Sequence, residues 1–372
     1  ERLGKKVNIT GKGRCNVTND CDRETLLANI PGNGRFLYSA LTRFTPQDTM
    51  AFFRELGVPL KVERGNRVFP VSDSAFDITN ALERELKRRR VRWARDRALH
   101  IEPENGAVTA VQGEKDAYPA QAVILATGGV SYPGTGSTGD GHRLAAALGH
   151  TVTELDGSLV PLEGVIAPGV PCARLQGLSL RNVGLTVYEG KKKIYQDFGE
   201  LLFTHFGVSG PLVLSASAHM RHFGKKDYRF EIDLKPALDE KTLDRRIVSD
   251  FEKYSNRDFA NALGGLLPQK LIAPFVALTG ISPTKKVNSL TRAERASVVA
   301  HMKGMRIPLS GLRPIEEAVI TSGGVSIREI DPHTMESKLI PGLFFAGEII
   351  DVDGYTGGYN LQIAWATGKA AG

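Results

Sequence analysis

Helical and strand-like spacings of the apolar residues alternate along the first third of the chain. Apolar positions three and four residues apart favour helices, whereas alternation at every second residue favours strands. The pattern predicts an α/β fold with helices over 46–57, 73–89 and 139–149, a hairpin over 60–72, and strands within 91–113 and 120–130. The first helix should open near Thr45 and stop at Gly57, because Thr caps helix starts and Gly ends helices.

The pattern changes at about residue 157, where short strand-like runs replace the regular alternation. Strand-like runs continue to about 235, and helical spacing then returns at 239–254, 258–264, 268–278 and 291–302. Beyond 313 the chain shows a strand and turn, an apolar strand at 342–346 and a final helix at about 357–371. We therefore predict a first segment over 1–157, an inserted module over 158–312 and a closing segment over 313–372.

Composition sets broad limits on the class of protein. A chain of 372 residues exceeds one ordinary core and should form two or three domains. Its 41% hydrophobic and 24% charged residues are typical of a soluble globular protein, and no apolar run is long enough to span a bilayer. Three cysteines are too few for a disulfide framework, so a cytoplasmic location is the expectation, and no His/Cys set predicts a metal site.

A formal net charge of +7 suits a nucleic acid or an anionic cofactor as partner. The densest basic run, Lys87–Arg95, follows the predicted helix 73–89, and cations at a helix C-terminus interact favourably with the helix dipole. A solvated helix end is therefore the favoured interpretation of this run, and contact with RNA is the alternative.

A strand–turn–helix arrangement near the C-terminus is the first candidate site. The strand leads into Gly347-Glu348 and a loop with Asp351, and the final helix opens with Thr356-Gly357-Gly358-Tyr359-Asn360-Leu361. Glycines let a flat ligand approach the backbone, and free N–H groups at the helix start stabilise an electron-rich atom such as the N1/O2 edge of a reduced flavin. Glu348 or Asp351 would accept hydrogen bonds from sugar hydroxyls. A plain turn with a helix cap is the alternative.

Two further glycine segments carry weaker signals. The strand within 120–130 ends in Thr127-Gly128-Gly129, where ligands cross the carboxyl ends of strands in open α/β sheets. The opening loop, Thr10-Gly11-Lys12-Gly13-Arg14-Cys15-Asn16, begins like a G-x-G-x-x-G dinucleotide signature but has Asn16 at the third glycine position. It would hold phosphate or cover a ring edge. Cys15 has no partner at C-x-x-C spacing, so burial is favoured over a redox role.

These segments together resemble a known family. Residues 10–19, 126–129, 200–214 and 313–372 are similar to the BaiN/YhiN-type, aminoacetone-oxidase-like flavoproteins, and the likeness extends over essentially the whole chain. The resemblance implies a Rossmann-type, glutathione-reductase-like FAD domain over 1–157 and 313–372. It also implies an insert with a β-barrel at 158–236 and a small helical unit at 237–305. The loop at 10–19 would then lie against the isoalloxazine ring.

One departure from the family concerns the dinucleotide fingerprint. Members carry a strand followed by G-x-G-x-x-G near the N-terminus, with an acidic residue closing the second strand, and this sequence has neither. We expect the sequence to start just after that second strand, with Glu1 near the acidic position, and the loop at 10–19 to take its strand support from upstream residues. The chain as given is expected to bind FAD poorly, and a complete protein well.

The resemblance implies a cytoplasmic FAD-dependent oxidoreductase that transfers a hydride or electron pair between an organic substrate or NAD(P)H and the flavin. His205, between an apolar strand and a glycine turn, would face the substrate side and move protons; packing against a backbone carbonyl is the alternative. Two other functions stay open: a flavin-dependent RNA-modifying enzyme and a non-catalytic flavin-binding protein. The expected partner is a small-molecule substrate, with no membrane and with nucleic acid disfavoured; substrate, nicotinamide and oligomeric state are not readable.

Overall fold

The computed structural model describes residues 3–220 and 223–372, so the expectation for Glu1 lies outside the described residues. The chain divides into two compact units, each considered by itself below. Unit 1 comprises Glu1–Ser158 and Pro314–Gly372, and unit 2 comprises Leu159–Arg313.

The secondary structure is mixed α/β, as predicted. The α-helices are α1 (Lys5–Gly13), α2 (Arg23–Ala28), α3 (Tyr38–Arg43), α4 (Pro46–Glu55), α5 (Ala75–Arg88), α6 (Asp140–Ala147), α7 (Pro211–Ser217), α8 (Glu240–Lys253), α9 (Phe259–Ala262), α10 (Gln269–Thr279), α11 (Arg292–Lys303) and α12 (Tyr359–Ala371).

The strands of unit 1 are β1 (Thr18–Asn19), β2 (Leu60–Glu63), β3 (Arg67–Pro70), β4 (Ala98–Glu104), β5 (Ala107–Gly113), β6 (Ala117–Pro119), β7 (Val123–Leu125), β8 (Asp156–Ser158), β17 (Ile320–Ser322) and β18 (Leu343–Phe345). Those of unit 2 are β9 (Leu162–Ala167), β10 (Val170–Pro171), β11 (Ser179–Glu189), β12 (Lys192–Phe203), β13 (Gly207–Ser209), β14 (Tyr228–Asp233), β15 (Met305–Ile307) and β16 (Leu309–Leu312).

Unit 1 contains a parallel strand pair that positions the candidate site. β7 and β18 pair in parallel, with Leu343 opposite Val123 and Phe345 opposite Leu125. Parallel neighbours end at the same edge, so the glycine segments that follow the two strands lie side by side. Separate small sheets, β4-β5-β6 and β17-β8, complete this part of the unit.

The second half of the opening loop is supported from later in the chain. Thr18 pairs with Val68 and Asn19 with Arg67, in antiparallel register, while the expected support from upstream residues stays a prediction. The amide of Val17 also donates to the Val68 carbonyl at 2.9 Å. The hairpin β2-β3 therefore carries the loop.

The helix predicted at 46–57 has the expected start. Thr45 forms a capping box with Asp48: its hydroxyl accepts from the Asp48 amide at 3.2 Å, and the Asp48 carboxylate accepts from the Thr45 amide at 2.9 Å. These bonds satisfy two amides that helix starts otherwise leave unpaired. The hydrogen bonds lower the pKa of Asp48 below its ordinary value.

Unit 2 is built on one antiparallel sheet in the order β10-β9-β13-β12-β11-β14-β15, with β16 pairing with β9. This sheet is a half-barrel, so the predicted β-barrel is not confirmed. Pro308 separates β15 from β16 and has no N–H for a ladder, so β15 follows β14 while β16 turns to β9. Helices α8, α10 and α11 contribute Leu243, Phe275 and Val298 to the buried core of this unit.

Within the described ranges, no helix has both the length and the apolar character needed to cross a membrane.

Candidate functional site

Two glycine segments from opposite ends of the sequence meet in unit 1. The side-chain amide of Asn19 donates to the Gly357 carbonyl at 3.0 Å. A Cβ on Gly358 would lie 2.4 Å from the carbonyl carbon and oxygen of Thr18. Gly357 and Gly358 have φ of +133° and +99°, conformations that favour glycine. The structure therefore brings together the loop at 10–19 and the start of α12.

Left-handed conformations give the opening loop its sharp reversal. Gly11, Lys12, Gly13 and Cys15 have φ between +57° and +84°. The helix α1 breaks at Thr10, where ψ becomes 150°, and the Thr10 hydroxyl donates back to the Val7 carbonyl at 2.7 Å. A Cβ on Gly11 would lie 3.2 Å from the Phe69 ring, so the hairpin limits the size of this residue.

Asn16 carries a buried acceptor beside this junction. Its Oδ1 is inaccessible to solvent and has no hydrogen-bond partner within residues 3–220 and 223–372. The same atom lies 2.9 Å from the position that a Cβ of Gly358 would occupy. A buried, unpaired polar atom is costly, so this atom marks a place where a donor from a ligand or a water would be stabilising.

The ends of β7 and β18 form a second cluster. A Cβ on Gly129 would lie 2.1 Å from Thr321 Oγ1 and 2.8 Å from Glu348 Oε1, and one on Gly128 would lie 2.9 Å from Ser137 Oγ. Both glycines are thus required by packing within the protein. The Gly347 amide donates to Thr367 Oγ1 at 2.9 Å, which ties the end of β18 to α12.

A cavity of about 650 Å³ opens at this cluster. Aromatic rings of Phe44, Phe52, Phe53 and Trp365 form much of its wall, and Gly128, Gly347 and Glu348 lie at the strand ends. Its lining also includes the cationic residues Arg89 and Lys369. Trp365 Nε1 donates to the Val17 carbonyl at 2.9 Å, so this wall is held by the opening loop.

Glu348 is part of a dense polar network. Lys6 Nζ lies 2.8 Å from Oε2 and 3.1 Å from Oε1 of Glu348, and it donates to Ser131 Oγ at 2.8 Å. Oε1 also accepts from the Ser131 hydroxyl at 3.1 Å and from the Thr321 amide at 2.8 Å. Thr321 Oγ1 in turn accepts from the Val130 amide at 2.8 Å. Three other segments of unit 1 thus converge on the Glu348 carboxylate.

Several predicted site residues use their side chains within the protein. Arg14 donates to Glu63 at 2.9 Å and to Asp73 at 3.2 Å, and its guanidinium covers the Phe69 ring at 4.0 Å. These carboxylates raise the pKa of Arg14. Asn360 closes the turn by accepting from the Gly354 amide and donating to its carbonyl, each at 2.7 Å.

Cys15 is fully buried, and burial raises the pKa of its thiol to about 12. Leu361 packs against the same apolar cluster as Cys15, Val17 and Phe53. A thiol with this pKa is not a thiolate near neutral pH, which favours the structural alternative for Cys15.

The remaining predicted residues lie apart from the cavity lining. The Asp351 carbonyl accepts from Asn33 Nδ2 at 2.8 Å, and Thr356 lies in the turn before Gly357. Thr127 Oγ1 lies 2.0 Å from where a Cβ of Gly141 would be, at the start of α6. His205 belongs to unit 2, where its exposed ring makes an edge contact with Phe206 at a centroid distance of 4.9 Å.

Sequence reasoning missed several lining and network residues, chiefly Ser131, Thr321 and Trp365, and it did not pair Lys6 with Glu348. Lys6 is one of many lysines and has no local motif of its own. Trp365 lies one helical turn after Leu361 on α12, a spacing that predicts a shared face and was the one signal for it. Over residues 3–220 and 223–372, no group of three or more His, Cys, Asp or Glu residues is arranged to hold a metal ion.

Comparison with known proteins gives a family over the whole chain. The model of the family described as "HI0933-like protein Rossmann domain" matches residues 1–372. A 3-dehydro-bile acid delta(4,6)-reductase from Clostridium scindens is 32% identical over 378 residues, covering 100% of this chain and 90% of that protein. Ribosomal RNA dihydrouridine synthases from Escherichia coli and Haemophilus influenzae are each 29% identical, covering 100% of this chain and 88% and 89% of those proteins.

Proposed function

Since the chain belongs to the HI0933-like Rossmann family of flavoproteins, we propose that it is a reductase that adds two hydrogens across a carbon–carbon double bond next to a carbonyl group. The family and the reductase relative indicate a flavin-dependent oxidoreductase, which agrees with the expectation from the sequence. The proposal includes FAD as the flavin and NAD(P)H as the electron donor.

The names of the relatives support this reaction class. A delta(4,6)-reductase of a 3-dehydro-bile acid removes double bonds near a ring ketone, and a dihydrouridine synthase adds two hydrogens to a uracil ring. In both reactions, one hydride and one proton together saturate one carbon–carbon double bond. NAD(P)H would supply the hydride, with its two electrons, and would become NAD(P)⁺.

The cavity at the ends of β7 and β18 is the single observation that carries the proposal. Its aromatic wall suits a flat ring, its two cations suit phosphates, and Glu348 suits sugar hydroxyls. The unpaired Oδ1 of Asn16, beside Gly358, is an acceptor suited to a ring N–H. The residues present therefore fit an FAD-type dinucleotide, which supplies the hydride-transfer chemistry when bound.

The roles of this chain's own residues follow from their contacts. Phe52, Phe53 and Trp365 exclude water from the cavity, which strengthens polar interactions inside it. Amides at the start of α12, near Gly358, would stabilise negative charge that develops on a reduced ring. His205 as proton mover remains a proposal for unit 2.

A direct test measures binding and electron transfer in turn. The protein is titrated with FAD and followed by flavin fluorescence, and then mixed anaerobically with NADH or NADPH. We expect saturable binding, weak for the chain as given in line with the expectation from its sequence, and bleaching of the flavin absorbance, followed by recovery when a 3-oxo-Δ4 steroid acid is added. Absence of flavin binding, or flavin that stays oxidised with both nicotinamides, would contradict the proposal.

RNA is a second candidate substrate, and one surface observation favours it. Residues 87–95 are all exposed, including Trp93 with 45% of its surface accessible. Glu83 and Glu85 pair with Lys87, Arg88 and Arg89, and the rest of the run continues as Arg90-Val91-Arg92-Trp93-Ala94-Arg95. Alternating arginines and an exposed indole suit phosphates and a stacked base.

A gel-shift experiment distinguishes an RNA substrate from a small-molecule substrate. A ribosomal RNA fragment is shifted on a gel across a salt series, using the wild type and an Arg92→Ala/Arg95→Ala double variant. Binding that weakens steeply with salt and is reduced in the double variant would favour RNA. Equal, weak binding by both proteins would favour the small-molecule substrate.

A further inference from the structure

We propose that Lys6 is a positioning residue of the flavin site, an inference that rests on the proposed function. Its ammonium group would hold the Glu348 carboxylate at the cavity in a single orientation and would neutralise its charge. Lys6 itself does not line the cavity, so its effect would pass through Glu348.

The two carboxylate oxygens of Glu348 accept different numbers of hydrogen bonds. Oε1 accepts from three donors, namely Lys6, the Ser131 hydroxyl and the Thr321 amide, at 2.8–3.1 Å. Among the residues that the structure describes, Oε2 accepts from Lys6 alone at 2.8 Å. A carboxylate oxygen has about two lone-pair directions, so Oε1 is saturated while Oε2 retains one acceptor direction.

The position of Oε2 connects this free direction to the cavity. Oε2 lies 4.0 Å from where a Cβ of Gly128 would be, and both Gly128 and Glu348 line the cavity. A sugar hydroxyl that runs past the strand ends would donate to this atom. Rotation of the carboxylate would remove the arrangement; Ser131 and Thr321 hold Oε1, and Lys6 opposes rotation further because it contacts both oxygens.

Lys6 is itself held in place. Its Nζ donates to Ser131 Oγ at 2.8 Å and reaches the Ser131 carbonyl at 3.3 Å, and Ser131 is fully buried. The Lys6 and Glu348 side chains are 22% and 12% exposed, so water screens this pair less than a surface pair.

The charge of the pair also matters for the ligand. An uncompensated carboxylate at this position would repel a dinucleotide with two phosphates, whereas the pair is neutral. Loss of Lys6 should therefore weaken FAD binding through both orientation and charge.

The experiment is a double-mutant cycle on FAD affinity, with Lys6→Met, Glu348→Gln and the double variant. We expect Lys6→Met to weaken FAD binding roughly tenfold to a hundredfold, the range for loss of a charge-assisted hydrogen bond. In the Glu348→Gln background the same change should have an effect of less than about threefold, because the carboxylate that Lys6 acts on is gone. Lys6→Arg should restore most of the affinity.

Controls separate this role from folding. Lys87→Met removes an exposed ion pair with Glu83 and should leave FAD affinity unchanged. Thermal midpoints without FAD report on folding, and a Lys6→Arg variant that folds but binds as weakly as Lys6→Met would overturn the role. Equal losses in both backgrounds, or wild-type affinity in Lys6→Met, would overturn it as well. A wild-type protein that binds no flavin defeats the proposed function itself, a different outcome from a flavin-binding wild type with an unaffected Lys6 variant.

Discussion

Asn19 Nδ2 lies 3.0 Å from the Gly357 carbonyl oxygen and also 3.0 Å from that of Gly65. One amide thus bridges the β2-β3 hairpin and the turn before α12. Asn19 is only 2% exposed, so its amide relies on these two carbonyls rather than on solvent. The two glycine segments keep their mutual position largely through this residue and its neighbour Thr18.

Replacement of Asn19 by Ala should lower the free energy of unfolding by about 1–3 kcal/mol, because two carbonyls lose a buried donor. We also expect weaker flavin binding, since the turn at Gly357 would loosen. Urea unfolding and FAD titration measure the two effects. Asn182→Ala, at an exposed strand position, is the control and should change neither quantity. A stable Asn19→Ala variant would show that the bridge is dispensable.

Gly358→Ala should be severely destabilising. The new Cβ would overlap the Thr18 carbonyl at 2.4 Å, and the φ of +99° is unfavourable for alanine. We expect a loss of about 3 kcal/mol or more, measured by chemical denaturation. Gly368→Ala on the same helix is the matched control, because among the described residues nothing beyond its chain neighbours and its own helix backbone lies within 4 Å of its Cβ position. That variant should gain up to about 1 kcal/mol, and equal behaviour of the two variants would contradict the packing argument.

His150 should make stability depend on pH. Its Nδ1 lies 3.3 Å from Glu329 Oε2 and its Nε2 lies 2.9 Å from Ser337 Oγ, and the residue is 4% exposed. Burial lowers the pKa of His150 below its ordinary 6.5, against the opposing effect of Glu329. The unfolded chain therefore binds the proton more tightly, and the free energy of unfolding should fall as pH drops from about 7 through 6.5.

The variant His150→Gln should show a shallower decline over this range, whereas His100→Gln, at an exposed strand position, should match the wild type. His142 contributes with the same sign, because burial lowers its pKa too, so part of the slope should remain. Urea unfolding curves at several pH values provide the measurement. A wild-type slope of zero, or one unchanged in His150→Gln, would refute the assignment.

The three cysteines should be inert in the folded protein. Burial raises the pKa of Cys15 to about 12 and those of Cys21 and Cys172 to about 11. At pH 8 we expect labelling by iodoacetamide to be at least about tenfold slower than in urea, because the thiolate is the reactive form. Mass spectrometry of each cysteine peptide gives the rates. Rapid labelling of Cys15 under native conditions would contradict this prediction and favour a redox role for Cys15.

Local signals explain why much of the fold was predictable. The helix predicted over 46–57 is observed at Pro46–Glu55, because the capping box at Thr45 and the glycine after Leu56 are both local features. The hairpin over 60–72 and the helices of unit 2 were predictable from local sequence features in the same way. Helix α1 was missed, because its regular part ends at Thr10 and is too short for an apolar period. The two-residue strand β1 depends on a partner 50 residues away, which no local pattern reveals.

The candidate site was predictable where glycines mark it and at Glu348, which follows Gly347. The segments around Gly128 and Gly357 were identified because an unusual backbone needs a residue without a side chain. Lys6 was not, since its partner Glu348 lies 342 positions later and the charge alone resembles a solvated surface residue. The ligand roles of the predicted residues remain predictions, and the experiments above address them.

The Lys6–Glu348 and Asn19–Gly357 contacts have a consequence for biosynthesis. Each joins residues that lie 342 or 338 positions apart, so neither can form before the ribosome has passed residue 348 or 357. Unit 2 is continuous in sequence, and its contacts are available on the ribosome long before then. A nascent chain should therefore complete the candidate site after unit 2, and a variant that lacks α12 should keep a folded unit 2 while its candidate site is incomplete.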